Sequence, residues 1–330
     1  LRQPDWWQGD AAYHPPAYTE PVSQLEAALR RGDFVITAEI APPLGASGDI
    51  IEKKAGWLKG CVTAANFTDN ASASARMSSI AASKICLDLG LEPVMQLQAR
   101  DRSRVVIESD AIGAAGLGIH NILCLSGDHQ RFGPGPMPKP DQFDFDAVQM
   151  LWLLRRMRDE GVYLDGREIK NPPQLFLGAA ASPFGAPPKF EAIRAEKKIN
   201  AGAQFIQTQP IFDTDRFAGW LEALDRRNLL DKVHILPGVV PLKSARAAHF
   251  MAEEVPGVVI PPDIIRRMDE AGDKQGQEET GIAITLEIIE KLKQMPGISG
   301  MHVMAVHWEA IVPQLLQAAG LALSKKQSII

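Results

Sequence analysis

Between residues 35 and 307 the chain repeats one unit eight times: an apolar run of strand length, then a stretch with helical periodicity. The runs fall at 35–41, 64–69, 92–99, 121–128, 174–181, 203–211, 233–241 and 300–307. Few charges interrupt their middles, which suits strands buried on both faces of a parallel sheet. Between them, Ala147, Met150, Leu151 and Leu154 are spaced to share one helix face, as are Phe217, Trp220, Leu221 and Leu224. Gly60, Gly90, Gly118, Gly161, Gly202 and Gly320 stand where helices should stop. Two segments break the rhythm: a charged loop at 161–173 and an extra helical region at 261–294.

Eight such units predict an α/β fold, a (β/α)8 TIM barrel over residues 31–322, with an extra helix before the last strand. Residues 1–30, rich in Pro, Trp and Tyr around Trp6-Trp7, read as an N-terminal extension ending in a short helical stretch; 323–330 read as a tail. A length of 330 residues suits one barrel or about two ordinary domains. The alternative is a doubly wound open sheet, which calls for a phosphate-binding fingerprint after a strand. Gly116-Leu-Gly118 precedes a strand instead, and Gly133-Pro-Gly135-Pro is too proline-rich to offer consecutive amide donors.

Composition removes other classes. A net charge of −5 argues against a nucleic-acid partner held through phosphates. No apolar run approaches the roughly 18 residues of a membrane span, and the polar N-terminal stretch lacks the core of a signal peptide. Cys61, Cys86 and Cys124 are too few and scattered for a disulfide framework or a CxxC zinc site. A reducing cytoplasm is the expected compartment, with no metal.

In a barrel the chemistry sits at the C-terminal ends of the strands. Polar residues recur there: Glu39, then Thr68-Asp69-Asn70, Gln96 and Gln98 with Arg100-Asp101-Arg102, Ser126-Gly127-Asp128, Gln207-Thr208-Gln209, and His307. Glu39 is the sharpest, a carboxyl with no other charge within five residues on either side. Burial favours a carboxyl's protonated form, which a general acid needs near neutral pH; a structural glutamate bonded to a neighbouring strand is the alternative. Asp128 reads as a site carboxylate with Gly127 admitting a flat ligand, or as a turn aspartate. Arg194, Lys197 and Lys198 share a helix face, either a solvated stripe or a diphosphate clamp. Gln209 offers an amide to a heterocycle edge, or is a satisfied barrel residue.

Together these blocks resemble the methylenetetrahydrofolate reductase family: AEIAPP, NFTDNA, QLQARDRS, LSGD, KKINAGAQFIQTQPIFD and ILPGVVP, in order, across about residues 33–320. The resemblance implies a barrel that binds FAD (FMN being the lesser candidate) and reduces 5,10-methylenetetrahydrofolate to 5-methyltetrahydrofolate. It makes Glu39 the acid that protonates the folate and Asp128 the carboxylate near flavin and pterin. Thr68, Gln96, Ser126, Gly127, Arg194, Lys197 and Lys198 fall on cofactor positions, and Gln209 on a substrate position. In the family pattern the position of Gln96 holds histidine, and Ser126 stands where arginine is frequent.

Departures cluster on the electron-donor side. GAAASPFGAPP lacks the tyrosine and histidine of bacterial relatives, the loop at Leu242–Ala245 lacks their aromatic, and His307-Trp308 replaces their folate-tail arginine. The donor is therefore either NAD(P)H or a partner redox protein, and a homo- or hetero-oligomer is expected. Two other readings compete: a flavin-free pterin methyltransferase or lyase, and a non-catalytic barrel subunit.

Overall fold

The structure, a computed structural model, describes residues 20–129, 133–134, 144–185 and 187–322. Trp6-Trp7, Gly135-Pro136 of the proline-rich loop and the 323–330 tail lie outside the described residues. Eight parallel strands close into a barrel in chain order. They are β1 (Val35–Ile40), β2 (Ala64–Phe67), β3 (Pro93–Gln98), β4 (Asn121–Leu125), β5 (Phe176–Ala181), β6 (Phe205–Pro210), β7 (His234–Val239) and β8 (Gly300–Val303). β1 pairs with both β2 and β8, so the sheet has no free edge.

The ring of helices is α2 (Asp49–Leu58), α3 (Ser79–Asp88), α4 (Arg104–Gly116), α5 (Ala147–Asp159), α6 (Glu191–Ala201), α7 (Thr214–Asp225), α8 (Ala245–Glu254) and α11 (Val312–Ala318). The extra region is two helices, α9 (Pro262–Glu270) and α10 (Lys274–Lys293); α10 starts well before the GIAIT apolar run because Asp273 caps it by accepting from the Gly276 amide. The predicted helix faces are the buried ones: Phe217, Trp220, Leu221 and Leu224 on α7, and Ala147, Met150, Leu151 and Leu154 on α5. All six glycines read as helix stops have positive φ. β8 is shorter than its apolar run; the chain leaves the ladder after Val303 and turns through His307 at φ +58°.

One further helix, α1 (Gln24–Arg30), closes the N-terminal end. Its Leu25, Ala28 and Leu29 pack with Val35, Ala64, Val94, Leu123, Phe176, Phe205 and Leu236 from seven strands. The Glu92 carboxylate fixes this plug: it accepts from the Gln24 amide at 2.7 Å, the Leu25 amide at 2.9 Å and Asn121 Nδ2 at 2.7 Å. Above the plug, the Phe176 and Phe205 rings stack 5.0 Å apart. The Phe205 ring fills the space where residue 178 has no side chain; a Cβ on Gly178 would come within 2.2 Å of it.

Candidate active site

Above the apolar floor the barrel interior turns polar. Thr37, Asn66, Gln207 and His302 are buried there, one each from β1, β2, β6 and β8. Buried polar groups are tolerable only when bonded, and these are. Asn66 and Gln207 exchange amide hydrogen bonds at 2.5 and 3.1 Å, Gln207 Nε2 donates to Thr37 Oγ1 at 2.9 Å, and Thr37 Oγ1 meets His302 Nδ1 at 3.0 Å.

This chain leads to Glu39. Its carboxyl faces the interior near the C-terminal end of β1, 19% exposed. Gln96 Nε2 from β3 donates to Oε2 at 3.2 Å, and His302 Nε2 from β8 stands 3.7 Å from the same oxygen. Among the described residues no protein group bonds Oε1. The structure thus brings together Glu39 and Gln96, two of the residues picked out in the sequence.

Thr68 follows β2 at the mouth. It is 6% exposed, and its Oγ1 finds no hydrogen-bond partner in the structure. An orphaned buried hydroxyl costs stability, so it marks a place where a ligand atom would be welcome. Beside it, Asp69 is held by Arg102 at 2.5 Å and by the Gln98 amide at 3.0 Å; burial pushes its carboxyl up even though Arg102 opposes the shift.

Ser126, Gly127 and Asp128 form an exposed lip after β4. Ser126 Oγ accepts from the Ala147 amide at the start of α5, at 3.2 Å. Gly127 has φ +90°, and a Cβ there would come within 2.5 Å of Gln98 Oε1, so the lip sits directly on β3. Asp128 Oδ2 accepts from the Ser72 amide at 2.7 Å. Its carboxylate therefore bridges to the loop after β2, where Asn70, Ser72 and Ala73 have positive φ. Arg100, 2% exposed, braces both loops by donating to the Asp128 carbonyl at 2.8 Å and the Asn70 carbonyl at 3.1 Å.

On α6, Arg194 pairs with the buried Glu191, and Lys198 is half-buried with its ammonium on the Ala180 carbonyl at 2.6 Å. Burial lowers the Lys198 ammonium's pKa, against the pull of Glu191. Lys197 is exposed. Gln209 is half-buried near the end of β6, where the register against β7 shifts between Gln207 and Pro210. Thr208 bridges the irregularity: its hydroxyl accepts from the Gly238 amide at 3.0 Å and donates to the Gln209 carbonyl at 2.8 Å. Across the mouth, Lys243 lies over the Trp308 ring, 5.5 Å from its centre.

Reasoning from sequence passed over His302, which lies in the eighth apolar run and looks like a core residue, and singled out His307 instead; His307 is exposed. Arg100 carries no signal in the sequence beyond its place at a strand end. The usable signal was strand parity: His302 shares the inward face with Gly300, as Thr37 does with Val35 and Glu39.

A family model described as methylenetetrahydrofolate reductase matches residues 24–320. Methylenetetrahydrofolate reductase 2 of Saccharomyces cerevisiae is 24% identical over 236 residues, 69% of this chain and 36% of that protein. Methylenetetrahydrofolate reductase 1 of Schizosaccharomyces pombe is 24% identical over 245 residues, 71% of this chain and 36% of that one. The chain thus spans about a third of the length of these curated relatives. Among solved structures, an uncharacterized Clostridium thermocellum protein that binds two copies of 5-methyl-5,6,7,8-tetrahydrofolic acid matches with a TM-score of 0.61 at 16% identity, over 91% of this chain and 99% of that one. At that identity the likeness speaks to the fold.

Proposed function

The chain belongs to the methylenetetrahydrofolate reductase family, and from that membership we propose that it reduces 5,10-methylenetetrahydrofolate to 5-methyltetrahydrofolate, with FAD at the barrel mouth and Glu39 as general acid. The observation that carries this reading is the Glu39 carboxyl itself: inward-facing, held at Oε2 by Gln96, and without a protein partner at Oε1. Folate binding by the Clostridium thermocellum protein supports a folate substrate on this fold.

The residues present fit a flavin. The orphaned Thr68 hydroxyl, buried at the mouth, suits a hydrogen bond to a ring edge, and the exposed Ser126–Asp128 lip lies after β4 at the same end of the barrel. Thr68, Gln96, Ser126, Gly127 and Asp128 would hold the ring, and Arg194, Lys197 and Lys198 the ribose and diphosphate. When bound, the flavin supplies hydride to the one-carbon unit.

Glu39 gives its proton to the folate N10. The O–H bond breaks, an N–H bond forms and the bond from N10 to the one-carbon unit opens, leaving a cationic iminium on the substrate. Asp128 offers that cation a carboxylate. Gln209 presents an amide to the pterin edge. Electrons arrive from NAD(P)H or a partner redox protein.

An absorbance spectrum followed by a folate assay tests the reading. The expected result is a yellow chain that reduces methylenetetrahydrofolate with reduced flavin, and a Glu39→Gln variant that keeps the colour and loses turnover by at least about 100-fold. A colourless chain from which mild extraction releases no flavin, or a fully active Glu39→Gln, overturns it. Bleaching by NADH alone would identify a free nicotinamide as donor and exclude the need for a partner.

A further inference from the structure

We propose that His302 is the positioning residue for Glu39, presenting a fixed Nε2–H to Oε2 so that the transferable proton resides on Oε1. This rests on the reading of Glu39 as the acid.

The hydrogen-bond order fixes the imidazole. Gln207 Nε2 donates to Thr37 Oγ1 at 2.9 Å, so the threonine's own proton is free to be given elsewhere. Two acceptors compete for it: His302 Nδ1 at 3.0 Å and the Met301 carbonyl at 3.4 Å. The nearer is Nδ1. With Nδ1 accepting, the neutral ring carries its proton on Nε2. That nitrogen faces Glu39 Oε2 at 3.7 Å, just beyond hydrogen-bond length and within range to close when the carboxyl becomes charged. Gln96 supplies a second N–H to the same oxygen.

Gln96 donates to Oε2 and His302 Nε2 is aimed at the same oxygen from 3.7 Å; these two donors disfavour a proton there and leave Oε1 to carry it. When Glu39 gives up that proton, the same two donors meet the carboxylate. His302 itself is 3% exposed, so it reaches substrate only through Glu39. The chain behind it runs through Gln207 to Asn66, with which Gln207 exchanges amide hydrogen bonds.

Side-chain 15N NMR of the ligand-free protein at mildly alkaline pH reads the tautomer directly, with His302 assigned by its absence in His302→Asn. The expected result is a protonated Nε2 and an accepting Nδ1, with Thr37→Val shifting the tautomer balance and Glu39→Gln moving the Nε2 resonance. A protonated Nδ1, or indifference to either variant, overturns the proposal whether or not the chain reduces folate. In a folate-active protein, His302→Asn lowers kcat by about 100-fold with KM little changed. If that variant does not fold, Thr37→Val is the kinetic probe, with kcat down about tenfold, which is about 1.4 kcal/mol of barrel-held alignment. Unchanged kcat in a folded variant overturns the proposal, whereas a wild type without folate turnover defeats the Glu39 reading and leaves the NMR arm to decide the contact.

Discussion

The two ends of the barrel interior are built on opposite terms. At the floor, side chains from seven strands meet three from α1, and the charge that intrudes, Glu92, is tied to two amides and an amide side chain. At the mouth, a buried hydroxyl goes unbonded, a glutamate keeps one oxygen unheld and four non-glycine residues, Asn70, Ser72, Ala73 and His307, sit at positive φ. Apolar packing is concentrated at the floor, where Asn121 Oδ1 is also left unbonded, while the half-held carboxyl and the positive-φ loops belong to the mouth, where a ligand would sit. Substitutions should therefore change sign between the ends.

The largest effect belongs to the floor. Phe205→Ala removes the ring that fills the space above Gly178 and should cost about 3–5 kcal/mol in a urea melt; a cost below about 1 kcal/mol would mean the floor is not the stabilising end. Next, Glu92→Gln replaces one accepting oxygen with a donor, leaving an α1 amide or Asn121 poorly paired, at about 1–3 kcal/mol.

The pH response sharpens the contrast. Burial raises the Glu92 carboxyl's pKa, so the folded state binds more protons than the unfolded chain just above the ordinary carboxylate range, and stability falls as pH rises there. Burial lowers the Lys198 ammonium's pKa, so in the alkaline range the unfolded chain binds more protons and stability rises with pH up to the ordinary lysine value. Lys198→Met should gain about 1 kcal/mol at neutral pH and flatten that alkaline slope in denaturation curves; an unchanged slope would show that the ammonium is hydrated. The smallest effect is at Thr68. Thr68→Val keeps the shape and removes an unbonded hydroxyl, so stability should hold within about 0.5 kcal/mol while flavin affinity, by fluorescence titration, weakens several-fold.

Much of the frame was legible because its signals are local. Apolar runs, helix faces and glycine stops each speak for a few adjacent residues, and closure follows from their number. Glu39 stood out by the same logic, a lone charge in an apolar run. What escaped were properties of pairs far apart in the chain. His302 matters because β8 adjoins β1, which puts residue 302 beside residue 37. Arg100 matters because loops after β2 and β4 meet over β3. The Arg194-Lys197-Lys198 stripe divides for a similar reason: Glu191, one turn earlier, draws Arg194, while Lys198 turns to β5.

The fit between residues 178 and 205 has a consequence for how such a chain can drift. No L-residue with a side chain enters position 178 until the ring at 205 has shrunk, and shrinking it first opens a void in the floor. Each single step passes through a poorly folded ancestor, so the two sites should change together or stay frozen, whatever happens to the ligand at the opposite end.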